Sequence, residues 1–380
     1  MSKDEKKVVI AGHICLDITP VFSSDKVIKL EEVLVPGKLV FMKGVDVHTG
    51  GAVANTGLGM KILGVDVKLM GKIGKDSFGQ LILNILEKYD ASEGMIISET
   101  SSTSYSIVLA PPGVDRVFLH NPGANDTFTF EDLNLEIIKK ACLFHFGYPP
   151  LMKKIYDDEG KELVKIFRRV KELGVATSLD MAAVDASSEA GKAPWETILK
   201  NVLPFVDFFM PSIEEIGYMI DRPRYEEWIK CAKGQDITSV ISIEKDVKPL
   251  ADKLITLGAK VVIIKCGSAG MYYKVSDEIA MDQIVGNLGL KLKGWAEAEG
   301  FEESYEPSKV LSATGAGDTS IAAFLTATLQ GYTLEECLQL STATGASCVT
   351  TYDALSGLVP FDKLLEKIHK GWKKQHLGIR

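Results

Sequence analysis

The second half of the chain alternates short apolar runs with longer segments of helical period. The apolar runs predict five strands, at residues 142–146, 176–180, 206–210, 261–265 and 270–274. Helices are predicted at 158–173 and 247–257, and a glycine follows each of them. This alternation predicts a mostly parallel sheet with helices on both faces. A chain of 380 residues has room for one large α/β domain with an appendage, or for two domains.

The first half continues the pattern, with strands predicted at 8–11 and 65–72 and helices at 52–63 and 76–88. Four other segments do not follow it. Residues 19–49 lack a helical period and contain proline and glycine, which predicts short extended pieces.

The other three irregular segments differ in kind. Residues 103–120 alternate on both sides of a Pro-Pro-Gly turn and predict a β-hairpin. Residues 221–245 are polar and irregular, which suggests an insertion with a short helix. Residues 287–308 carry Trp295 among glycine, lysine and glutamate, and suggest an insertion in the form of a long surface loop.

The charge and the apolar pattern argue against several partners. The formal net charge is −8 and no run of five basic residues occurs, so nucleic acid is not an expected partner. No apolar run approaches the roughly 18 residues of a membrane span. Residues 1–7 are charged and lead directly into a strand, so no signal peptide is expected. We therefore expect a cytoplasmic protein without membrane association.

Cysteine and histidine spacing indicates neither disulfides nor zinc. The six cysteines contain no Cys-x-x-Cys pair and most lie in apolar runs, which is typical of reduced core residues. The six histidines show no His-Glu-x-x-His or similar spacing. We expect no zinc site.

A glycine-rich turn is the strongest functional signal. Residues 314–319 read Thr-Gly-Ala-Gly-Asp-Thr and lead into an apolar helical segment at 320–329. Such a turn presents unpaired N–H groups at the positive end of a helix dipole, which favours a phosphate. Asp318 lies in the same turn, where a carboxylate is unfavourable unless it has a role, and general base toward a hydroxyl is the obvious one. The alternative is a capping aspartate at an ordinary helix N-terminus.

Two further glycine-rich segments extend this signal. Residues 50–55 read Gly-Gly-Ala-Val-Ala-Asn before the helix predicted at 52–63, and residues 69–79 read Leu-Met-Gly-Lys-Ile-Gly-Lys-Asp-Ser-Phe-Gly. Together with residues 313–319 they resemble the two signatures of the PfkB family of carbohydrate kinases. The resemblance implies one kinase domain over residues 1–380, with the ribokinase-like fold.

That fold is α/β, with a central mostly parallel sheet, helices on both faces and a small β lid. The lid is expected from about 19–49 and 103–120. The resemblance also implies ATP as phosphate donor and Mg²⁺ on the nucleotide phosphates. Closure of the lid is expected to exclude water during transfer.

The resemblance assigns roles to individual residues. Asp318 is the expected catalytic base, and Gly315, Ala316 and Gly317 are the other residues expected in the catalytic turn. The N–H groups of Ala316, Gly317 and Asp318 are expected to form the anion hole. The expected substrate-binding residues are Asp17, Gly50, Gly51, Asn55 and Asn125. The expected nucleotide-binding residues are Lys265, Gly267, Ser212, Glu215 and Gly345, with Glu215 acting on the metal through water. Asp180, at a strand end facing the same crevice, is a further candidate.

Three of these residues have simple structural alternatives. Asp17 can form a turn, Asn55 can cap a helix, and Lys265 can be a surface lysine at a strand end.

Three positions depart from the family pattern. Ser212 stands where the Asn-x-x-Glu motif has asparagine, which weakens the expected metal or phosphate contacts. Ala52 stands where ribokinases proper carry lysine, which argues against ribose. Ser312 stands where members activated by a monovalent cation carry aspartate, so that activation is not expected.

The sequence therefore predicts an ATP-dependent kinase of a small sugar or sugar derivative. One alternative is a nucleoside kinase of the same fold, because Phe22, Phe41 and Met42 in the lid segment could stack on a base. Another is a non-catalytic sugar-binding regulator on the same fold. A homodimer through exposed lid edges is also expected, since an open β lid leaves unpaired strand edges.

Overall fold

The computed structural model describes residues 6–23, 29–112, 117–290, 292 and 294–377. Within these residues, nine strands form a larger sheet and four form a smaller one. The strands are β1 (Lys7–Gly12), β2 (Cys15–Phe22), β3 (Met42–Gly50), β4 (Asp66–Gly74), β5 (Ile96–Ser98), β6 (Tyr105–Leu109), β7 (Val117–Asn121), β8 (Leu143–Gly147), β9 (Ala176–Leu179), β10 (Phe208–Phe209), β11 (Val261–Lys265), β12 (Gly270–Val275) and β13 (Glu299–Glu303).

The helices lie between these strands. They are α1 (Leu30–Val33), α2 (Ala52–Ile62), α3 (Ser77–Glu87), α4 (Leu135–Ile138), α5 (Lys153–Glu172), α6 (Glu189–Lys192), α7 (Trp195–Val202), α8 (Ile213–Ile220), α9 (Arg222–Ala232), α10 (Lys248–Thr256), α11 (Glu278–Leu288), α12 (Ala316–Gln330), α13 (Leu334–Cys348) and α14 (Phe361–His369). Among the described residues, no helix is both long and apolar enough to cross a membrane.

The larger sheet is mostly parallel, as the alternation predicts. Its strand order is β13-β12-β11-β10-β9-β8-β1-β4-β5. The pairs from β11 to β5 are parallel, and β12 and β13 add antiparallel strands at one edge. The prediction of a central parallel sheet is confirmed.

Helices cover both faces of this sheet because its central strands are apolar on both sides. In β1, Val8 and Ile10 join a buried cluster with residues of α2, α12 and α13. Val9 and Ala11 point the other way and join a second cluster with residues of α5, α7 and α8.

The carboxyl ends of the parallel strands place polar residues along one edge of the sheet. Tyr148 follows β8, Asp180 follows β9, Ser212 lies beyond β10 and Lys265 ends β11. A parallel bridge joins Ser212 to Lys265 outside the named strands. Open parallel sheets bind ligands at this edge, so it is the place to look for a site.

The smaller sheet has the order β3-β2-β6-β7. Strands β2 and β3 pair antiparallel, as do β6 and β7, and β2 and β6 pair parallel. The predicted hairpin at 103–120 corresponds to β6 and β7, and its turn at 113–116 lies outside the described residues. The extended pieces predicted at 19–49 correspond to β2 and β3, with residues 24–28 outside the description and the short helix α1 between them.

The prediction of a long surface loop at 287–308 is wrong. Strand β13 pairs with β12 and forms an edge of the larger sheet. Trp295 is 1% exposed and packs against Phe324, with ring centroids 5.8 Å apart. Tyr305 is also buried. This segment therefore belongs to the core and to the sheet.

Other boundaries differ in smaller ways. Helix α5 begins at Lys153, before the predicted start at 158, but residues Asp157–Gly160 are non-helical and three of them have positive φ. The regular part of α5 thus follows Gly160, near the predicted start. The segment 221–245 carries the eleven-residue helix α9, whose Trp228 is buried and donates to Asp246 at 3.2 Å.

Candidate active site

The glycine-rich turn forms the N-terminus of α12. Gly315 is the N-cap residue with φ 72°, and a Cβ there would lie 2.2 Å from Cβ of Ala354. Only glycine fits this left-handed and crowded position. Ala316, Gly317 and Asp318 then make the first turn of the helix, where backbone N–H groups have no intrahelical acceptor.

The three expected anion-hole N–H groups are not equivalent. The N–H of Ala316 donates to the carbonyl oxygen of Ala313 at 3.3 Å. The groups of Gly317 and Asp318 belong to the first turn, so these two remain the stronger candidates for an anion.

Asp318 is buried and held by two side chains from other elements. It is 3% exposed, and Asn55 Nδ2 on α2 donates to its Oδ2 at 2.9 Å. The hydroxyl of Tyr148 donates to both carboxylate oxygens, at 2.8 Å each. Burial raises the pKa of Asp318, while the hydrogen bonds from Asn55 and Tyr148 and the charge of Lys265 act against that rise.

Tyr148 is a site residue that the sequence analysis missed. It follows β8 directly and has φ 65° and ψ 46°, a left-handed conformation that is uncommon for a side chain of this size. Two prolines come next, at 149 and 150. Burial raises the pKa of Tyr148, and the charge of Asp318 raises it further, so the hydroxyl stays protonated and donates. A tyrosine directly after a buried strand was the available signal.

Asp318 lines one cavity and is hydrogen-bonded to a residue that lines a second. The first, here called the loop cavity, measures about 510 Å³ and is lined by the glycine turn, Asp318 and Lys265. The second, called the lid cavity, measures about 720 Å³ and is lined by Asn55 and by residues of β2 and β3. The hydrogen bond between Asn55 and Asp318 joins the two walls. Ala313 lines both cavities.

A half-buried lysine faces the glycine turn across the loop cavity. A Cβ at Gly317 would lie 3.8 Å from Nζ of Lys265, so the ammonium group is next to the helix N-terminus. Lys265 Nζ donates to Asp180 Oδ1 and to the carbonyl oxygen of Met210, at 2.7 Å each. Burial would lower the pKa of Lys265, but the charges of Asp180, Glu215 and Asp318 outweigh it and raise that pKa. Lys265 is therefore a fixed cation at this end of the cavity.

Ser212 and Glu215 both line the loop cavity, and they cap α8 together. The N–H of Ser212 donates to Glu215 Oε2 at 2.6 Å, and the N–H of Glu215 donates to Ser212 Oγ at 3.2 Å. This reciprocal pair is a capping box. Ser212, which stands where the family motif has asparagine, thus caps the start of α8. One carboxylate oxygen of Glu215 already accepts a hydrogen bond from the N–H of Ser212.

Two of the five residues expected at the substrate, Asp17 and Asn55, line the lid cavity. Asp17 lines it and lies against Gly50, where a Cβ would be 2.1 Å from Asp17 Oδ2. Gly51 has φ 84°, and a Cβ there would meet His13 Nδ1 at 2.5 Å. Cys15 Sγ donates to Asp17 Oδ1 at 3.3 Å, and burial raises the pKa of Asp17. Both glycines therefore allow a close approach of backbone and side chains.

Two residues expected at the site, Asn125 and Gly345, have contacts that support the fold. The amide of Asn125 bonds the backbone of Ile14 in both directions, at 3.2 and 2.9 Å, and Asn125 lines neither cavity described above. Gly345 does line the loop cavity, and it also lets α13 approach α12, because a Cβ there would meet Ser320 Oγ at 2.5 Å. Gly267 and Asp180 line the loop cavity as expected.

Comparison with known proteins agrees with this arrangement. Among curated proteins, the chain is 24% identical over 303 residues to an uncharacterized sugar kinase of Archaeoglobus fulgidus, covering 79% of this chain and 98% of that one. It is 26% identical over 322 residues to fructokinase-2 of Oryza sativa subsp. japonica, covering 81% of each. A solved E. coli structure described as a ribokinase II in complex with ATP and Mg²⁺ matches with a TM-score of 0.70, 20% identity, and coverage of 96% and 99%.

The fold is thus ribokinase-like. A family model described as pfkB family carbohydrate kinase matches residues 6–360. The chain belongs to the pfkB family of carbohydrate kinases.

Proposed function

We propose that this protein transfers the γ-phosphoryl group of ATP to a hydroxyl of a small sugar or sugar derivative. The observation that carries the proposal is the position of Asp318, which is buried on the wall of the loop cavity and bonds Asn55 on the wall of the lid cavity. A carboxylate there can touch ligands in both cavities at once. One cavity is suited to the phosphate donor and the other to the acceptor.

In the proposed reaction, Asp318 takes the proton of the acceptor hydroxyl as the hydroxyl oxygen forms a bond to the γ-phosphorus. The bond from the γ-phosphorus to the β,γ-bridging oxygen breaks, and ADP leaves with that electron pair. Such a transfer depends on positioning and on neutralising charge more than on covalent help. The N–H groups of the glycine turn and the Lys265 ammonium group would supply the positive field at the phosphoryl oxygens.

Mg²⁺ would be held on the loop-cavity wall that carries Glu215 and Asp180. Both side chains supply the hard oxygen donors that this ion prefers. Because Glu215 already accepts from Ser212 and Asp180 from Lys265, contact through water fits this wall best. When bound, the ion would neutralise charge on the nucleotide phosphates.

The acceptor would lie under the smaller sheet. Asp17 and Asn55 offer a charged acceptor and an amide to neighbouring hydroxyls, and Gly50 leaves the room that the Asp17 carboxylate occupies. We propose that β2, β3, β6 and β7 act as the lid and exclude water during transfer. The sheet also exposes apolar side chains, including Val45 and Leu119, which supports a homodimer through the lid.

The contacts of Ser312 support the expectation that the kinase activity depends only weakly on a monovalent cation. Its hydroxyl accepts from the N–H of Thr314 at 3.1 Å and donates to Thr314 Oγ1 at 3.0 Å. A neutral side chain that is engaged within its own loop adds no formal charge to a cation site.

The test is to offer ATP with each of a panel of acceptors, namely fructose, ribose, small polyols and nucleosides, and to measure the release of ADP. Fructose heads the panel because fructokinase-2 is among the relatives. Turnover with a sugar supports the proposal. Turnover with nucleosides alone would favour a nucleoside kinase, for which Phe22 in the lid cavity is a candidate stacking residue. Binding of sugar without any turnover would favour a non-catalytic binder.

A substrate-side variant sharpens this test. Asp17→Asn removes a charge-assisted hydrogen bond to the acceptor, so the KM of the best sugar should rise about 10- to 100-fold with the KM for ATP unchanged. The matched control is Asp66→Asn, on an exposed residue at the start of β4.

A further inference from the structure

The residues after α14 return to the edge of the larger sheet and are anchored there. Lys374 forms an antiparallel bridge with Tyr305, and the N–H of Gln375 donates to the carbonyl oxygen of Ser304 at 2.9 Å. The ring of Trp372 stacks on that of Tyr305 with centroids 4.7 Å apart, and its Nε1 donates to the carbonyl oxygen of Glu306 at 2.7 Å. This tail, residues 372–375, is therefore held beside the loop cavity.

The tail places one side chain in the loop cavity. Gln375 lines it, together with Ser304 and Pro307. Its Nε2 donates to the carbonyl oxygen of Tyr305 at 3.2 Å. A carbonyl oxygen only accepts, so this contact fixes which end of the amide faces the backbone. The side-chain oxygen of Gln375 and the second hydrogen of Nε2 are then left to meet a ligand, and the oxygen is the only acceptor of the two.

The loop cavity is lined by both charged and carbon-rich side chains. Lys265, Asp180 and the glycine turn supply charged and polar groups. Carbon-rich side chains in the lining include Pro307, Val310, Ala346 and Val349. A nucleoside triphosphate needs both kinds of surface, so its phosphates would lie beside Lys265 and the glycine turn, and its base would lie against carbon-rich side chains within reach of Gln375.

We propose that the side-chain oxygen of Gln375 accepts a hydrogen bond from the 6-amino group of the donor nucleotide and so selects 6-amino over 6-oxo purines. A 6-amino purine presents a donor at that position, whereas a 6-oxo purine presents an acceptor that would face the amide oxygen unpaired. This inference rests on the proposed function, since it takes the loop cavity to bind a nucleoside triphosphate.

The test compares ATP with ITP, which carries the 6-oxo group and lacks the extra 2-amino group of GTP. With the wild-type protein, kcat/KM for ATP should exceed that for ITP by at least about tenfold. In Gln375→Ala that ratio should fall to within about threefold of unity, through a loss for ATP, and the KM for the sugar should not change. In Gln375→Lys, whose ammonium group donates to a 6-oxo oxygen, the ratio should move toward ITP. The matched control is Gln339→Ala on α13, a half-buried glutamine that bonds Glu335 and lines neither cavity.

The ratio separates base recognition from loss of the tail. If Gln375→Ala weakens ATP and ITP by the same factor, Gln375 only anchors the tail and the inference is overturned. Equal use of ATP and ITP by the wild-type protein also overturns it. Binding of the two nucleotides by calorimetry gives the same ratio without turnover. If no sugar is phosphorylated with either nucleotide, the proposed function fails, and the calorimetric ratio alone decides the role of Gln375.

Discussion

Replacing Tyr148 by phenylalanine tests how the site sets the basicity of Asp318. The tyrosine hydroxyl donates to both oxygens of that carboxylate at 2.8 Å, and the second donor is Asn55 at 2.9 Å. Tyr148→Phe removes the hydroxyl and keeps the ring, so Asp318 remains buried with one donor fewer. We expect the pKa of Asp318 to rise above its already raised value, because these bonds favour the charged form.

The size of the effect follows from the strength of such bonds. A hydrogen bond to a charged group contributes about 1.5–3 kcal/mol. At about 1.36 kcal/mol per pKa unit, this corresponds to a rise of roughly one to two units. A general base must be deprotonated to act, so the acidic limb of the rate profile should move to higher pH by that amount. Well above the new pKa, kcat should stay within about tenfold of wild type, because the base itself is intact.

The assay is kcat against pH, from ADP release at saturating ATP and sugar. The control is Tyr156→Phe, since Tyr156 packs against Trp195 outside both cavities. An acidic limb that does not move in Tyr148→Phe, or that moves to lower pH, would refute the role given to the tyrosine.

Three further predictions concern the phosphate end, the cation and the fold. Gly317→Val should lower kcat with circular dichroism unchanged, because the valine side chain would fill the space beside Lys265, whose Nζ would lie 3.8 Å from the added Cβ. An unchanged kcat would place the phosphate elsewhere. Replacing K⁺ by a bulky organic cation at constant ionic strength should change kcat less than about threefold, or roughly 0.6 kcal/mol, because Ser312 brings no charge; a strong K⁺ requirement would contradict this. Asp207→Ala should lower the free energy of unfolding in urea by about 3–5 kcal/mol, since Asp207 is fully buried and pairs with Lys171 and Lys260; a loss below about 1 kcal/mol would show that the buried pair is replaceable.

Gly317 differs from Gly315 in its backbone conformation. The residue with positive φ is Gly315, at 72°, and Gly317 does not have one. Backbone strain therefore plays no part in the fall in kcat expected for Gly317→Val. That fall comes entirely from crowding of the anion site.

The fold was largely predictable because buried parallel strands are continuous apolar runs. Strand β11, Val-Val-Ile-Ile-Lys, is of this kind, and the run predicted at 261–265 matches it. Strand β13 was missed because it reads Glu-Gly-Phe-Glu-Glu. Its Glu299 accepts from Lys248 and Lys274, which come from distant parts of the chain. Partners of that kind cannot be seen in a local pattern.

The site was predictable where the backbone itself carries the signal. The glycine turn and Asp318 could be located because a helix start rich in glycine has few other uses. Tyr148 and Asp318 are 170 positions apart in sequence, and they meet only because of the order of the strands in the sheet. Asn125 shows what the sequence leaves open, since its amide pairs with the backbone of Ile14 and its expected contact with the substrate stays a prediction. An amide pairs equally well with a hydroxyl or a peptide group, so the sequence does not decide between them.

The most direct test of the account is the rate of phosphoryl transfer in Asp318→Asn. The amide keeps the shape of the carboxylate but cannot take the proton, so kcat should fall about 10²- to 10⁴-fold. Affinities for ATP and for the sugar should stay within several-fold of wild type, and Asp66→Asn, on an exposed residue of β4, should leave kcat unchanged. A variant that keeps more than about a tenth of the wild-type kcat, well above the range for loss of a general base, would contradict the role of Asp318.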